Sequence, residues 1–263
     1  MNKVWNEKTK QRIITAIAIV MVVFIPVYFG GYFLEVLGLF IVATSAYEWM
    51  RVQKNFTTWP SFVMPMIAIF VALTRVVPSN LIYAYMLFCI IVIWAIPVFT
   101  ERLTIANAFW CIAYFIIFSM IYQNLIIFAG NQRYLWTIIL ATYGSDTGAY
   151  FVGSKFGKNK MNPRISPNKS WEGFFGGCAA GFLISLLVSM FYIGKVNFLL
   201  NLMICITAPA TAELGDLCFS AIKREAGIKD FSKILPGHGG ILDRTDSLLM
   251  NFMVFGILYA IIM

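Results

Sequence analysis

Two pairs of acidic residues stand three apart within a largely apolar chain: Glu213 and Asp216 in "APATAELGDLCFSAIKRE", and Asp243 and Asp246 in "LPGHGGILDRTD". Residues three and four apart on a helix share a face. Glu213, Asp216, Ser220, Lys223 and Arg224 therefore form one stripe, running from two carboxylates to two cations. A helix starting near Leu242 likewise puts Asp243 and Asp246 on one face at its N-terminus, where carboxylates suit the helix dipole. Mg²⁺ is usually held by one or two such carboxylates, with phosphates completing the shell. Asp216 and Asp243 are the candidates to share it. The other reading of the stripe is a salt-bridge ladder tying helices together.

Further polar groups gather near these pairs. "PGHGG" before Asp243 predicts a tight turn whose glycines let backbone N–H groups approach an anion. Lys223, Arg224, Lys229, Lys233 and Arg244 supply positive charge around it, and His238 is the chain's single histidine. No other His or Cys stands near enough in sequence to make His238 a metal ligand, so its default role is to stabilise the turn. Asp146 lies in "YGSDTGAYFVG", inside an apolar run. Lys169 and Ser170 precede "WEG" at the start of another, where a helix N-terminus with a lysine at its mouth can receive an anion.

These groups need positioning by the rest of the chain, which is 60% hydrophobic and only 12% charged. A soluble domain would be about a quarter charged. Apolar runs near 13–29, 33–50, 60–77, 81–99, 106–129, 134–152, 173–194, 197–219 and 247–263 approach the length of about 20 residues that a bilayer requires. The expected fold is all-α, a polytopic membrane protein of about nine transmembrane helices. No small-residue cleavage site follows the first run, which reads as a span and not a signal peptide. With the N-terminus in the cytoplasm, only Arg75, Arg133 and Lys195 of the 20 Lys and Arg fall outside. The net charge of +8 is thus topological, and no nucleic-acid partner is expected. The five cysteines lie in apolar runs without C-x-x-C spacing, which suggests neither zinc nor a disulfide framework. Polar sequence concentrates in two loops on the cytoplasmic side, between spans six and seven and between spans eight and nine.

The stretch Ser220 to Asp246, "SAIKREAGIKDFSKILPGHGGILDRTD", resembles the signature of phosphatidate cytidylyltransferases, also called CDP-diacylglycerol synthases. The pattern S-x-x-K-R, four residues, K-D, then L-P-G-H-G-G-x-x-D-R-x-D is long enough to be specific. Two shorter blocks agree, "SDTGAYFVG" from Ser145 and "SPNKSWEG" from Ser166. The second block commonly reads S-P-K-K-T in that family; here Asn168 and Ser170 replace its first lysine and its threonine. The resemblance is strong in the C-terminal half, and residues 1–130 share only length and hydropathy.

The resemblance implies that CTP and phosphatidate give CDP-diacylglycerol and pyrophosphate in phospholipid biosynthesis. It implies Mg²⁺, alone or with a second cation, and a homodimer in a bacterial inner membrane with its active site facing the cytoplasm. The expected organisation is residues 1–130 as spans one to five and 131–263 as the catalytic region. Asp216 and Asp243 would hold the metal, with Asp246 in support. Lys223, Arg224, Lys229 and Arg244 would neutralise the phosphates; Asp146, Lys169 and Ser220 would complete the substrate pocket, and His238 joins the catalytic candidates. A polytopic transporter is the rival reading, but it predicts ionisable groups spread through several spans and an internal repeat. A sister enzyme using CTP on another lipid phosphate would carry the same motifs.

Overall fold

The structure, a computed structural model, describes residues 2–263, with the side chains of 2–9, 11–13, 16, 17, 126, 193 and 194 outside the description. The basic N-terminal residues used to orient the chain fall mostly among these. The helices are α1 (Asn2–Phe29), α2 (Gly31–Arg51), α3 (Val63–Leu73), α4 (Ile82–Phe99), α5 (Ile105–Gly130), α6 (Gln132–Phe156), α7 (Trp171–Ser189), α8 (Phe198–Glu225) and α9 (Leu242–Ile262). Each expected span corresponds to one helix.

Among the described residues, six helices are long and apolar enough to cross a membrane: α2, α4, α5, α7 with its short extension, α8 and α9. The expectation of nine is therefore met for six. Helix α3 has 11 residues, about half what a bilayer needs. Helix α6 has 25 residues, but its sequence, with Thr142, Ser145, Asp146 and Thr147, is too polar to qualify. Helix α4 shows what the others must do, since it turns Leu87, Phe88, Ile91, Trp94, Val98 and Phe99 outward. The protein is an α-helical membrane protein.

The chain forms two compact units, residues 1–127 with 230–243 and residues 128–229 with 244–263. In the first, α2 and α5 interlock through aromatic side chains. Trp49 and Trp110 stack with centroids 4.6 Å apart, and each indole N–H donates to the other residue's carbonyl. The Tyr114 hydroxyl donates to the Val42 carbonyl at 2.6 Å, satisfying a polar group that is wholly buried.

In the second unit, α6 and α7 meet backbone to backbone, as small residues allow between membrane helices. A Cβ on Gly177 would lie 2.8 Å from the Ser145 carbonyl oxygen, and one on Gly181 would lie 2.5 Å from that of Ala141. The contact places α6 and its Asp146 beside α7. Asn251 of α9 donates to Thr142 of α6 at 2.7 Å and its side-chain oxygen accepts from Thr211 of α8. Three helices are thereby joined through one buried amide.

One element departs from the all-helical expectation. The polar loop between spans six and seven forms an antiparallel hairpin, β1 (Lys160–Asn162) and β2 (Ser166–Ser170), with Lys160 opposite Ser170 and Asn162 opposite Ser166. The signal was local turn chemistry: Asn162 accepts from the Ile165 amide across Pro163, and proline fits such a turn. The Glu172 carboxylate accepts from the Lys158 and Asn159 amides, anchoring the hairpin to the first turn of α7.

Candidate active site

The second unit gathers a charged cluster from β2, α6, α8 and α9. Ser170 ends β2 and caps α7, its Oγ accepting from the Gly173 amide at 3.2 Å. That cap fixes the strand end, so Lys169, immediately before it, is aimed at α8. Its Nζ lies 2.7 Å from Glu213 Oε2 and 2.7 Å from Asp216 Oδ2, and donates to the Glu213 carbonyl at 3.2 Å. Burial works against the ammonium, but the Glu213 and Asp216 carboxylates outweigh it and hold the lysine's pKa above its ordinary value.

The predicted stripe on α8 is present. Glu213 is buried, Asp216 is partly open, and Ser220 Oγ donates to Asp216 Oδ1 at 3.4 Å. Leu214 faces outward, as the opposite side of the stripe should. Asp146 on α6 lies within electrostatic range of Glu213, Lys169 and Asp216. The Tyr143 hydroxyl is similarly close to Asp146, Asp246 and Arg244. Asp246 is buried and accepts from the Ser247 amide at 2.9 Å. Helices α8 and α9 approach closely here, since a Cβ on Gly215 would lie 3.0 Å from the Asp246 carbonyl oxygen.

The remaining cations of this unit differ in setting. Arg224 donates to the carbonyls of Ile165 at 3.3 Å and Ile228 at 3.0 Å, so it fastens the hairpin and the turn after α8. Lys223 is buried, whereas Lys229 is exposed.

The first unit holds the glycine turn. Gly237 and Gly239 have φ of 76° and 84°, which only glycine adopts freely, and the turn closes through His238 N donating to the Leu235 carbonyl at 2.9 Å. The reading that these amides await a substrate anion needs correction for those nearest Asp243. Asp243 Oδ2 accepts from Phe231 N at 2.8 Å and Gly240 N at 2.9 Å. The next two amides go to Glu48, a residue absent from the sequence reading. Glu48 Oε1 accepts from Ile241 N at 2.9 Å and Oε2 from Leu242 N at 2.7 Å. The amides of 240, 241 and 242 are thus taken by the chain's own carboxylates. A signal for Glu48 did exist, because it is an acidic residue inside an expected span, and such residues face protein-lined polar surroundings.

Glu213 and Asp216 already converge on one positive charge, the Lys169 ammonium. Among the described residues no group of three or more His, Cys, Asp and Glu could hold a metal unaided. A small set of carboxylates completed by substrate phosphates is the usual Mg²⁺ arrangement.

The chain is similar to known proteins over part of its length. The chain is 45% identical over 126 residues to the phosphatidate cytidylyltransferase of Staphylococcus epidermidis, covering 48% of each chain. It is 44% identical over 120 residues to that of Mycobacterium leprae, covering 46% of this chain and 38% of the relative. With that of Haemophilus influenzae it shares 39% over 126 residues, 46% of this chain and 44% of the relative. The chain thus spans about half the length, or less, of the curated relatives it matches. A family model covers far more, matching residues 10–262, and the chain belongs to the cytidylyltransferase family.

Proposed function

We propose that this protein is a phosphatidate cytidylyltransferase. A phosphate oxygen of phosphatidate attacks the α-phosphorus of CTP; the bond from that phosphorus to the bridging oxygen breaks, and pyrophosphate leaves. The products are CDP-diacylglycerol and pyrophosphate. The observation that carries the reading is the Lys169–Glu213–Asp216 cluster, which sets the lysine of the "SPNKSWEG" block against the α8 carboxylates just before the Ser220–Asp246 stretch. The lipid supplies its own nucleophile, so no activated Ser or Cys is required. Catalysis of this kind rests on positioning and charge neutralisation.

Asp216 and Asp243 are the proposed Mg²⁺ ligands, with Asp246 in support. Asp243 would be held ready by its two amide donors, and Asp216 by Lys169 and Ser220. When bound, the ion would neutralise developing charge on the phosphates. Lys169 is proposed to neutralise the lipid headgroup, with Asp146 completing the pocket. Lys223, Arg224, Lys229 and Arg244 are assigned to the triphosphate and departing pyrophosphate, and His238 of the glycine turn is kept as a catalytic candidate. The enzyme is proposed to act as a homodimer in a bacterial inner membrane, with the site open to the cytoplasm.

The test is purified protein incubated with labelled CTP and a panel of lipid phosphates, with Mg²⁺ present or chelated. Phosphatidate should yield CDP-lipid and pyrophosphate in equal amounts, and chelation should abolish both. CDP-lipid formed only from another lipid phosphate would overturn the substrate. Solute flux in proteoliposomes without any CDP-lipid would overturn the reaction.

A further inference from the structure

The reading of residues 230–243 as part of a cytidylyltransferase site leaves open what holds that segment in shape. We propose that Glu48 is a positioning residue for the reaction, fixing the segment and the start of α9 so that Asp243 is correctly presented. The inference rests on the function proposed above.

Glu48 sits near the end of α2 and is completely buried. Its carboxylate meets donors almost two hundred residues away in sequence. Oε1 accepts from Ser232 Oγ at 2.5 Å and from Ile241 N at 2.9 Å, while Oε2 accepts from Leu242 N at 2.7 Å. Leu242 is the first residue of α9, whose opening amides have no partner within the helix. Glu48 thus caps α9 from a different helix. The fit leaves no slack, since a Cβ on Gly240 would lie 2.6 Å from Glu48 Oε1.

The amides of 231, 240, 241 and 242 are divided between two carboxylates, Asp243 from within the segment and Glu48 from outside it. A local carboxylate can shape the turn, but only the outside one ties it to the α2–α5 scaffold. The two donor sets are adjacent along the chain, 231 beside 232 and 240 beside 241 and 242, so loosening Glu48 must disturb the amides that orient Asp243. Glutamine in its place would present an amide N–H₂ to a site built wholly from donors. Whichever oxygen is replaced, the glutamine N–H₂ would face a backbone amide, that of Ile241 or Leu242.

The experiment uses the full chain in lipid nanodiscs, comparing Glu48→Gln, Glu48→Asp and Ser232→Ala. Two quantities are read: steady-state kcat and KM for CTP, and hydrogen–deuterium exchange of peptides covering 231–242. Glu48→Gln should lower kcat on the order of ten- to a hundred-fold, as loss of an outer supporting partner does, with KM little changed. Exchange should accelerate in 231–242 while peptides from α4 and α7 stay as in wild type. Glu48→Asp, which keeps the acceptor, should recover part of both losses. Ser232→Ala should show the same pattern more weakly, and adding it to Glu48→Gln should cost little more. Unchanged exchange in 231–242, or a loosened segment with wild-type kcat, would overturn the proposal. Should Glu48→Gln fail to accumulate, Ser232→Ala carries the same comparison. If the wild type makes no CDP-lipid, the functional reading falls, and exchange alone decides whether Glu48 holds the segment.

Discussion

Glu48 and Glu213 are both buried carboxylates on apolar helices, yet the two units neutralise them differently. Glu48 is satisfied by two backbone amides and a hydroxyl, all neutral and all fixed by the chain around them. Glu213 is satisfied by a lysine side chain that it shares with Asp216. An acidic side chain near the centre of a membrane helix costs about 2.5–3.5 kcal/mol on insertion scales, so Glu213 would not persist without its partner, and Glu48, wholly buried near the end of α2, likewise needs its donors. Backbone dipoles cannot leave, which makes Glu48 a structural anchor. A lysine on a flexible stem can turn to another anion, so the Glu213–Asp216 pair has an exchangeable partner where Glu48 has fixed ones. The difference in partner, amide against ammonium, separates scaffold from site.

Variants of the two proposed metal ligands, Asp216 and Asp243, should produce the largest effects. Asp216→Asn keeps shape but removes a negative ligand, and should lower turnover by about a hundred- to a thousand-fold, or ~2.7–4 kcal/mol. Asp243→Asn should do the same. If both act through one ion, the double variant should be hardly worse than either alone, since residues acting as a unit are non-additive. Mg²⁺-dependent synthesis near wild-type rates in well-folded Asn variants would break the assignment.

Lys169→Met strands Glu213 beside Asp216 without a counter-charge. Removing one partner of a fully buried pair costs about 3–5 kcal/mol, and a value near the lower end is expected because Asp216 is partly exposed. Thermal unfolding in detergent would measure it, and a second change, Glu213→Gln, should restore part of the loss. Failure of that rescue would mean that the lysine stabilises through packing alone.

Gly240→Ala probes the other side of the comparison, because its methyl group would press on Glu48. Overpacking of this kind costs about 1–3 kcal/mol, and it should appear as reduced folded yield. An Ala variant of wild-type stability would show that the Glu48 contact is loose.

The pH dependence of the ion pair has a definite sign. The pKa of Lys169 is raised in the folded protein, so its stabilising contribution is complete below the ordinary lysine value of 10.5 and is lost as pH rises through the higher folded value. The stability gap between wild type and Lys169→Met should therefore stay constant from neutral pH to about 9 and shrink only above the ordinary value. A gap that closes near neutrality would contradict this ion pair.

The smallest effect is expected at Arg75 and Glu35, 2.8 Å apart with about a third of each side chain exposed. Arg75→Ala should cost about 0–1 kcal/mol by the same unfolding measurement.

Much of this was legible in the chain itself. Helix positions followed from apolar runs, because a bilayer demands long uninterrupted hydrophobic segments. The face shared by Glu213, Asp216 and Ser220 followed from helical periodicity, and the start of α9 at Leu242 from the glycine turn before it. The blocks around Lys169 and Ser220–Asp246 carried the family resemblance because their polar residues stand out against an apolar background.

Pairing between distant segments was decided only by the fold. The stripe on α8 could not reveal that Lys169, 44 residues earlier, supplies its counter-charge. Nor could the glycine turn reveal that Glu48 takes its amides from 193 and 194 residues away. Periodicity and turn propensity are local, set by bonds within a few residues. A buried charge is satisfied by whichever donors tertiary packing brings to it, and no spacing rule in the sequence encodes that meeting.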